Sequence, residues 1–464
     1  MKRERSKVKS ERGAEEKLCL RDRCRVLGVA IVAVVATTSA VWAGEAGNSD
    51  RLIPSPMLSL TLREALSAAA DSNPDVLLYK ERIQEAKGQV QTQLGAMLPN
   101  LSADVRQSRR TQFLGTIGLS PVRTDPFSIF DARISATQNL FSLSLIQRWR
   151  ASRQSLQMTE QEAEAKKLDT MATVALAYME GLKAMALIKA HELNQQIMEE
   201  LLGTIRQRQR GGLATGLDIA RLEAQLAAER QQSSSAGYEL DHAKFSLINL
   251  LALPTHSAVA LTDQWRMDVP EIPRSQKAVE DALGQRPEVQ AQSTRVRAAE
   301  LMYASMTGER VPSLVAQGDY GLVGNRWSNT LDTYSMALIL QIPIFDGAQR
   351  EGRIVQARSQ WQQEALRMRS VLNQVTMEVQ DALASLTAAK EQVGIAQAGL
   401  RMATKELDLA RERYAVITSA SHFELTNGLS AVARARENLV NALFQLNAAR
   451  INLARSTGSL ETLN

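Results

Sequence analysis

The chain has little cysteine, few aromatic residues and few prolines, and each shortage excludes something. Only Cys19 and Cys24 occur in 464 residues, and both precede the first apolar run. With that segment removed as a leader, no thiol remains for a disulfide, a thiolate metal site or a cysteine nucleophile. Aromatic side chains make up 4% against 44% hydrophobic residues in all. That is sparse for a conventional α/β enzyme and suits long helices rich in Ala, Leu, Gln, Glu and Arg. The run Val26–Ala36 holds eleven apolar residues, short of the ~20 that a spanning helix needs. Nothing after residue 44 reads as a transmembrane helix. A charge excess is missing too. The net charge of +5 comes from residues 1–43, with ten basic and five acidic side chains, which leaves 45 of each sign in the remainder. The high isoelectric point is therefore no argument for nucleic acid.

What is present begins with a basic segment, the short run Val26–Ala36 and a small-residue stretch ending Val41-Trp42-Ala43. This is the order of a secretory signal, with cleavage expected after Ala43, or alternatively after Ala40. A linker at 44–60 follows.

The twelve prolines leave two gaps, between Pro126 and Pro254 and after Pro343. Proline inside a helix costs about 3 kcal/mol, so the gaps are where long helices can run. From Ser144 to Arg210 the composition predicts one helix on the order of 100 Å long. The second gap carries a heptad: Leu372, Val379, Leu386, Val393, Leu400, Leu407 and Tyr414. Val375 and then Ala382, Ala389, Ala396, Ala403 and Ala410 lie three residues further on. Leu425, Val432, Leu439, Leu446 and Leu453 repeat the design, with Gly428, Ala435, Ala442 and Ala449 between them. Small residues at one heptad position let helix axes approach closely. The two segments predict an antiparallel helical hairpin with its tip at Val416–His422; a dimeric coiled coil is the alternative.

The chain is also written twice. Asn73-Pro74-Asp75-Val76 is matched by Arg286-Pro287-Glu288-Val289, and Leu98-Pro99-Asn100-Leu101 by Val311-Pro312-Ser313-Leu314, both at an offset of 213. Asn139-Leu140-Phe141 matches Pro343-Ile344-Phe345 at an offset of 204, so an insertion of nine residues lies between. Each half predicts helix, proline, variable segment, Phe turn, very long helix, tip and helix. The expected boundaries are 61–253 for the first repeat, 254–278 for a linker, 279–458 for the second repeat and 459–464 for a tail.

Period two replaces the helical period in the variable segments. Leu101, Ala103 and Val105 alternate with polar residues, as do Ile134, Ala136 and Leu140 with a break at Gln138. Leu314 to Leu322 and Tyr334 to Ile342 repeat the pattern. Hairpins are expected at about 101–140 and 313–342, with links at Arg110–Phe130 and Val323–Asp332. One apolar and one polar face is the pattern of a barrel strand. Four strands cannot close a barrel, and a lipid-exposed sheet edge is intolerable, so a membrane assignment requires several chains to pool strands. A water-exposed hairpin is the competing reading.

Enzyme chemistry finds little support. His191, His242, His256 and His422 are scattered, and His191-Glu192 lacks a second zinc ligand because residue 195 is Gln. Gly318, Gly321 and Gly324 have the wrong spacing for a dinucleotide loop, and no phosphate-cradling glycine loop precedes a Lys-Ser/Thr pair. Neither catalytic residues nor cofactor or metal ligands are expected.

In order and spacing, the duplicated Pro elements, the Gln341-Ile342-Pro343-Ile344-Phe345-Asp346-Gly347 turn and Arg413-Tyr414 ahead of the second tip resemble the outer membrane efflux protein family of TolC-like exit ducts. The resemblance covers about Thr61–Gly458. It implies a mainly α fold with a small β part. Long antiparallel helical hairpins form a periplasmic α-barrel, and four strands per chain enter a trimeric twelve-stranded transmembrane β-barrel. It further implies a homotrimer in the outer membrane lipid of a Gram-negative bacterium, recruited by a periplasmic adaptor and an inner-membrane transporter for efflux or secretion.

The first tip, Gly211, Gly212, Leu213, Ala214, Thr215 and Gly216, matches the family's adaptor-docking turn; turn-making alone is the plainer role. The second tip departs from the family pattern, with Ile417, followed by Thr418 and Ser419, where relatives place Gly. Asp218, Phe423 and Glu424 are the candidates for a periplasmic gate, although only Glu424 could supply the usual acidic charge there and Asp218 reads equally as a helix cap. The rival is a soluble periplasmic scaffold or adaptor. The duct requires Tyr334, Met336, Leu338 and Leu340 to face lipid; the scaffold requires them in a protein core.

Overall fold

A computed structural model of the chain describes residues 58–118, 121–265, 272–416 and 422–460. The expected leader, most of the 44–60 linker, and Ile417, Thr418 and Ser419 lie outside the described residues. The first pass of the pattern runs β1 (Leu58–Leu60), α1 (Leu62–Ser72), α2 (Pro74–Gly95), β2 (Asn100–Arg110), β3 (Phe127–Phe141), α3 (Leu143–Arg210) and α4 (Gly216–Leu250). The second runs β4 (Val259–Leu261), α5 (Ser275–Gln285), α6 (Pro287–Gly308), β5 (Ser313–Arg326), β6 (Asn329–Gln341), α7 (Gln349–Val416) and α8 (His422–Thr457).

Helix starts follow from local chemistry. Thr61 and Glu64 form a capping box on α1, with the Thr61 N–H donating to Glu64 Oε2 at 2.9 Å. Pro74 and Pro287 occupy the first turns of α2 and α6, where a missing N–H costs nothing. α3 and α7 are each 68 residues long, about 100 Å at the helical rise.

Separate cores are strung along these helices. Leu66 of α1, Val174 and Tyr178 of α3, Leu247 at the end of α4, Leu261 of β4 and Ile451 of α8 share one. Strands β1 and β4 pair in parallel across it. Tyr178 is fully buried and donates its hydroxyl to the Leu60 carbonyl at 2.9 Å, while burial pushes its pKa up to about 12. One stretch of α3 is long and apolar enough by composition to cross a membrane, contrary to the expectation that no such helix follows residue 44. Over half of it (56%) is buried in protein, so its apolarity is used in packing.

The heptad of α7 is the observed seam. Leu386, Ala389, Val393, Ala403, Leu407 and Tyr414 are buried against Leu425, Val432, Ala442, Leu446 and Ala449 of α8, whereas Val375 and Val379, at the start of the heptad, pack instead with Ala278 and Ala282 of α5 and Val289 of α6. A Cβ on Gly428 would lie 3.3 Å from the Leu407 Cα, so the axes meet where the side chain is smallest.

The four long strands form one antiparallel sheet in the order β2-β3-β5-β6, which places the two hairpins side by side through β3 and β5. The expected links are too long. β5 and β6 pair through Arg326 and Asn329, so most of Val323–Asp332 is strand; β3 begins at Phe127, inside the expected first link. Hydrogen-bond pairing carries strands past the residues where apolar alternation fades. Gln138 does not break the ladder either: it pairs with Ala316, and the irregularity falls between Asn139 and Phe141. The inserted residues make the 111–126 connection, with a 3₁₀ turn at Leu114–Ile117 and a bridge between Phe113 and Arg123.

Candidate functional site: the sheet faces and the helical tips

The register sorts the sheet into two faces. Ala103, Ile134, Tyr320 and Tyr334 lie in one row, and Leu101, Ala136, Gly318 and Met336 in the next. Leu338 and Leu340 continue this face beside Ala316 and Leu314. None of the described residues covers it: Met336 is 87% exposed, Tyr334 75% and Val105 73%. In water, so continuous an apolar surface is unfavourable. On the opposite face lie Ser102, Ser135, Asp319 and Ser335 in one row, and Asp104, Arg133, Gly321 and Thr333 in another. Strands of 11, 15, 14 and 13 residues meet or exceed the ~9–11 needed to cross a bilayer at a tilt. Within the sheet, β2 and β6 each keep one unpaired edge. The scaffold's requirement, Tyr334, Met336, Leu338 and Leu340 inside a protein core, is not met.

At the far end of the helices, α3 stops at Arg210 and α4 begins six residues later. Gly212 takes φ +74°, a conformation open to glycine at little cost, whereas the N-terminal flank Gly211 has φ −86°. A Cβ on Gly216 would come no nearer than 3.9 Å to any neighbour. Only one of the three tip glycines is therefore demanded by the backbone. Thr215 and Asp218 form a capping box: Asp218 Oδ2 accepts from the Thr215 N–H at 3.0 Å and from its hydroxyl at 2.7 Å. Leu213 is exposed, and Ala214 packs against the tip-end core of Ile205, Leu222, Leu407, Tyr414 and Leu425. Beside the second tip, Phe423 is exposed and Glu424 accepts from Arg413 at 3.2 Å.

A polar contact also joins the helix ends beside the two tips. Arg208 at the end of α3 donates to the Tyr414 carbonyl of α7 at 2.6 Å, and its guanidinium carbon lies 4.1 Å from the centre of that ring. Further along, His191 Nδ1 lies 2.8 Å from Glu229 of α4, and Arg436 of α8 donates to Asn194 Oδ1. Burial, then the nearby Arg411, lowers the Arg436 pKa, with Glu229 opposing. Among the described residues no three His, Cys, Asp or Glu side chains group as a metal site.

A model of the outer membrane efflux protein family matches residues 65–253 and 278–459. The chain belongs to the outer membrane efflux protein family. It is 22% identical to the pyoverdine export outer membrane protein OpmQ of Pseudomonas putida, over 61% of this chain and 62% of that one. It is also 22% identical to the outer membrane efflux protein BepC of Brucella suis, over 93% of this chain and 90% of that one. The crystal structure of the outer membrane protein VceC from Vibrio cholerae superposes with a TM-score of 0.76 at 16% identity, covering 86% of this chain and 96% of that one. The family fold, helical hairpins plus a small β part, is the fold of this chain. As a member of the family the protein is an outer membrane channel with a large periplasmic helical part.

Within this efflux protein, Arg208, Asn194, Glu229 and Arg436 were not singled out from the sequence. The signal was nonetheless there: His191, Asn194, Met198, Ile205 and Arg208 fall at heptad core spacings on α3. Three polar residues on such a stripe mark a polar layer, because a buried polar group needs a partner.

Proposed function

We propose that the protein is the exit duct of a tripartite export system, a homotrimer that passively conducts cargo from a periplasmic adaptor and an inner-membrane transporter to the exterior. The sheet carries this reading: its apolar face is bare and its β2 and β6 edges are open. In a bilayer both faults are cured together if β6 of one copy pairs with β2 of the next, closing twelve strands over three chains. Exposed Val355, Leu366, Ile395, Met402 and Leu409 along α7 and exposed Tyr238 and Phe245 on α4 offer two different apolar flanks, which suits a head-to-tail ring.

The tips are the adaptor's docking points in this reading: Gly211–Gly216 on the first hairpin and Ile417, Thr418 and Ser419 on the second. Gly211 and Gly216 support it, because neither backbone demands glycine and both leave main chain accessible. Asp218, Phe423 and Glu424 form the periplasmic gate, latched by Arg208 on Tyr414. Opening parts α7 and α8 from α3 and α4. The duct does no chemistry and needs no cofactor. Residues 1–43 act as the export signal, and the repeats at 61–253 and 279–458 each contribute one β-hairpin and one helical hairpin.

The deciding experiment is the native mass of the protein extracted in mild detergent from isolated outer membranes. Three chains per particle are expected. A monomer or dimer in the soluble periplasmic fraction would overturn the duct and restore the scaffold reading.

A further inference from the structure

The duplication has produced two hairpins of one register. A residue of β2 corresponds to the one 213 places later in β5, and a residue of β3 to the one 204 places later in β6. Asn100 pairs with Thr137 as Ser313 pairs with Gln341, and Arg110 pairs with Phe127 as Val323 pairs with Leu331. All 11 residues of β2 keep their pairing in this way. Below the sheet the same offset carries α2 onto α6 from end to end, Pro74 to Pro287 and Gly95 to Gly308.

The contact between the two halves is therefore a template. In the sheet, Ala136 of β3 lies opposite Gly318 of β5, and Ile134 opposite Tyr320. Beneath it, α3 and α6 meet closely at Gly308, where a Cβ would lie 3.1 Å from the Ser144 nitrogen and 3.3 Å from the Leu143 carbonyl carbon. Ser305, fully buried, donates its hydroxyl to the Ser144 carbonyl at 2.9 Å. The matching surface of the first half is bare. Gly95 is exposed and a Cβ on it would meet nothing within 4 Å; Thr92, at the place of Ser305, is exposed as well. On the opposite flank Phe345 is 83% exposed, against 46% for Phe141 at the same place in the first repeat. The surfaces that are fitted together inside the chain thus recur, uncovered, at its two outer edges.

We infer that β6 and α7 of one copy meet β2 and α2 of the next in the register that β3 and α3 keep with β5 and α6 inside one chain, with Gly95 as the point of close approach. This rests on the trimeric barrel proposed above and fixes what that reading leaves open, the register of the seams between copies. Carried over by the two offsets, the internal pairs place Leu340 opposite Val105 of the next copy, Leu338 opposite Gln107 and Gln341 opposite Asp104. The Gly347-Ala348 turn ahead of α7, at the place of Leu143 and Ser144, then comes against Gly95 of the next copy. The faces agree: Leu340 and Val105 both belong to the apolar face, whereas a slip of one residue would turn one strand's apolar side chains inward. The two kinds of seam differ in one tie. Inside the chain Arg133 donates to Asp319 at 2.7 Å; the corresponding residues between copies are Ala337 and Arg106, which cannot form an ion pair.

The test is disulfide crosslinking in isolated outer membranes, with native mass measured for every variant. Cys19 and Cys24 are the only cysteines and lie in the expected leader, so paired substitutions in the mature chain read without background. Directly opposite residues of an antiparallel pair have Cα atoms about 4.5–5.5 Å apart, within disulfide reach. Leu340→Cys with Val105→Cys should therefore give covalent dimers and trimers on oxidation. Leu340→Cys with Leu101→Cys, out of register by four residues or about 13 Å along the strand, should run as monomer after denaturation. Gly95→Leu should keep the helical circular dichroism of the wild type, because nothing in its own chain crowds that position, yet lose the three-chain particle. If the wild type holds three chains but the in-register pair stays unlinked, or the shifted pair links instead, the register is overturned and the duct stands. Gly95→Leu assembling like the wild type would overturn the close approach at α2. A wild type that holds fewer than three chains would overturn the duct reading, and the inference with it.

Discussion

The two halves of the chain use one backbone plan and fasten it by different means. At the start of α2, Asn73 accepts from the N–H groups of Asp75 and Val76 and donates to the Leu250 carbonyl at 2.7 Å, all neutral hydrogen bonds. At the matching start of α6 stands Arg286, which forms no side-chain cap. It is 3% exposed and reaches Glu288 at 3.0 Å and Glu378 on α7 at 2.6 Å. Proline follows in both cases and presets the first turn. The helix start is thus conserved in geometry, while the tie that holds it to the rest is neutral in one half and ionic in the other. The hairpins contrast in the same way: a connection of 111–126 in the first, and strand pairing through Arg326 and Asn329 in the second. Duplication preserved what the backbone needs and left the fastenings free to diverge.

The largest expected effect lies in the seam of the second helical hairpin, which depends on small residues. Ala396→Leu together with Ala403→Leu should cost about 1–3 kcal/mol per site by overpacking and splay α7 from α8. Denaturant unfolding and the native mass of the variant would report it, and normal assembly and export would show the seam wrongly placed.

Next come the two fastenings. Arg286→Ala should destabilise by about 2–3 kcal/mol, below the ~3–5 of a fully buried pair, because Glu288 and Glu378 keep 33% and 26% of their side-chain surface. Asn73→Ala should cost about 1 kcal/mol, the usual loss of a helix cap. Equal losses in thermal unfolding would erase the contrast between the halves.

Acid sharpens the same contrast. Burial tends to raise the Glu378 pKa, but hydrogen bonds from Arg286 and Gln374 outweigh it and the net shift is downward. A lowered carboxylate pKa contributes stability fully above the unfolded value and loses it as pH falls through the folded one. The penalty of Glu378→Gln should therefore shrink as pH drops below the ordinary carboxylate range, while that of Asn73→Ala stays level. A pH series of melting temperatures for both variants would check this.

The smallest effect separates the tip glycines. Gly212→Ala should cost about 1 kcal/mol because of its left-handed backbone, whereas Gly216→Ala should leave the melting temperature unchanged. A bulky residue at Gly216 should impair export without loss of stability; export unaffected by it would remove that glycine from the docking surface.

Much of this was legible in the residues. The proline gaps and the Leu/Ala heptads placed both long helices and the α7–α8 seam, and the paired Pro elements revealed the duplication. Period-two alternation located all four strands, although their ends were misjudged because apolar patterning fades at a hairpin before pairing does. The tip candidates Gly211–Gly216 were visible as a glycine-bearing turn, but which glycine the turn needs was not, since that depends on a φ angle. Arg208, Glu229 and Arg436 escaped notice because a charged residue on a helix reads as solvated until the neighbouring helix is in place.

The sequence alone determined the elements and their repetition, because helix and strand periods, caps and proline breaks act within a few residues of one another. The tertiary structure decided the partners: Arg133 with Asp319, Arg208 with Tyr414, Arg286 with Glu378. These lie 186, 206 and 92 residues apart. Strand register and helix pairing bring them within hydrogen-bond reach, and no local pattern in the chain encodes that proximity.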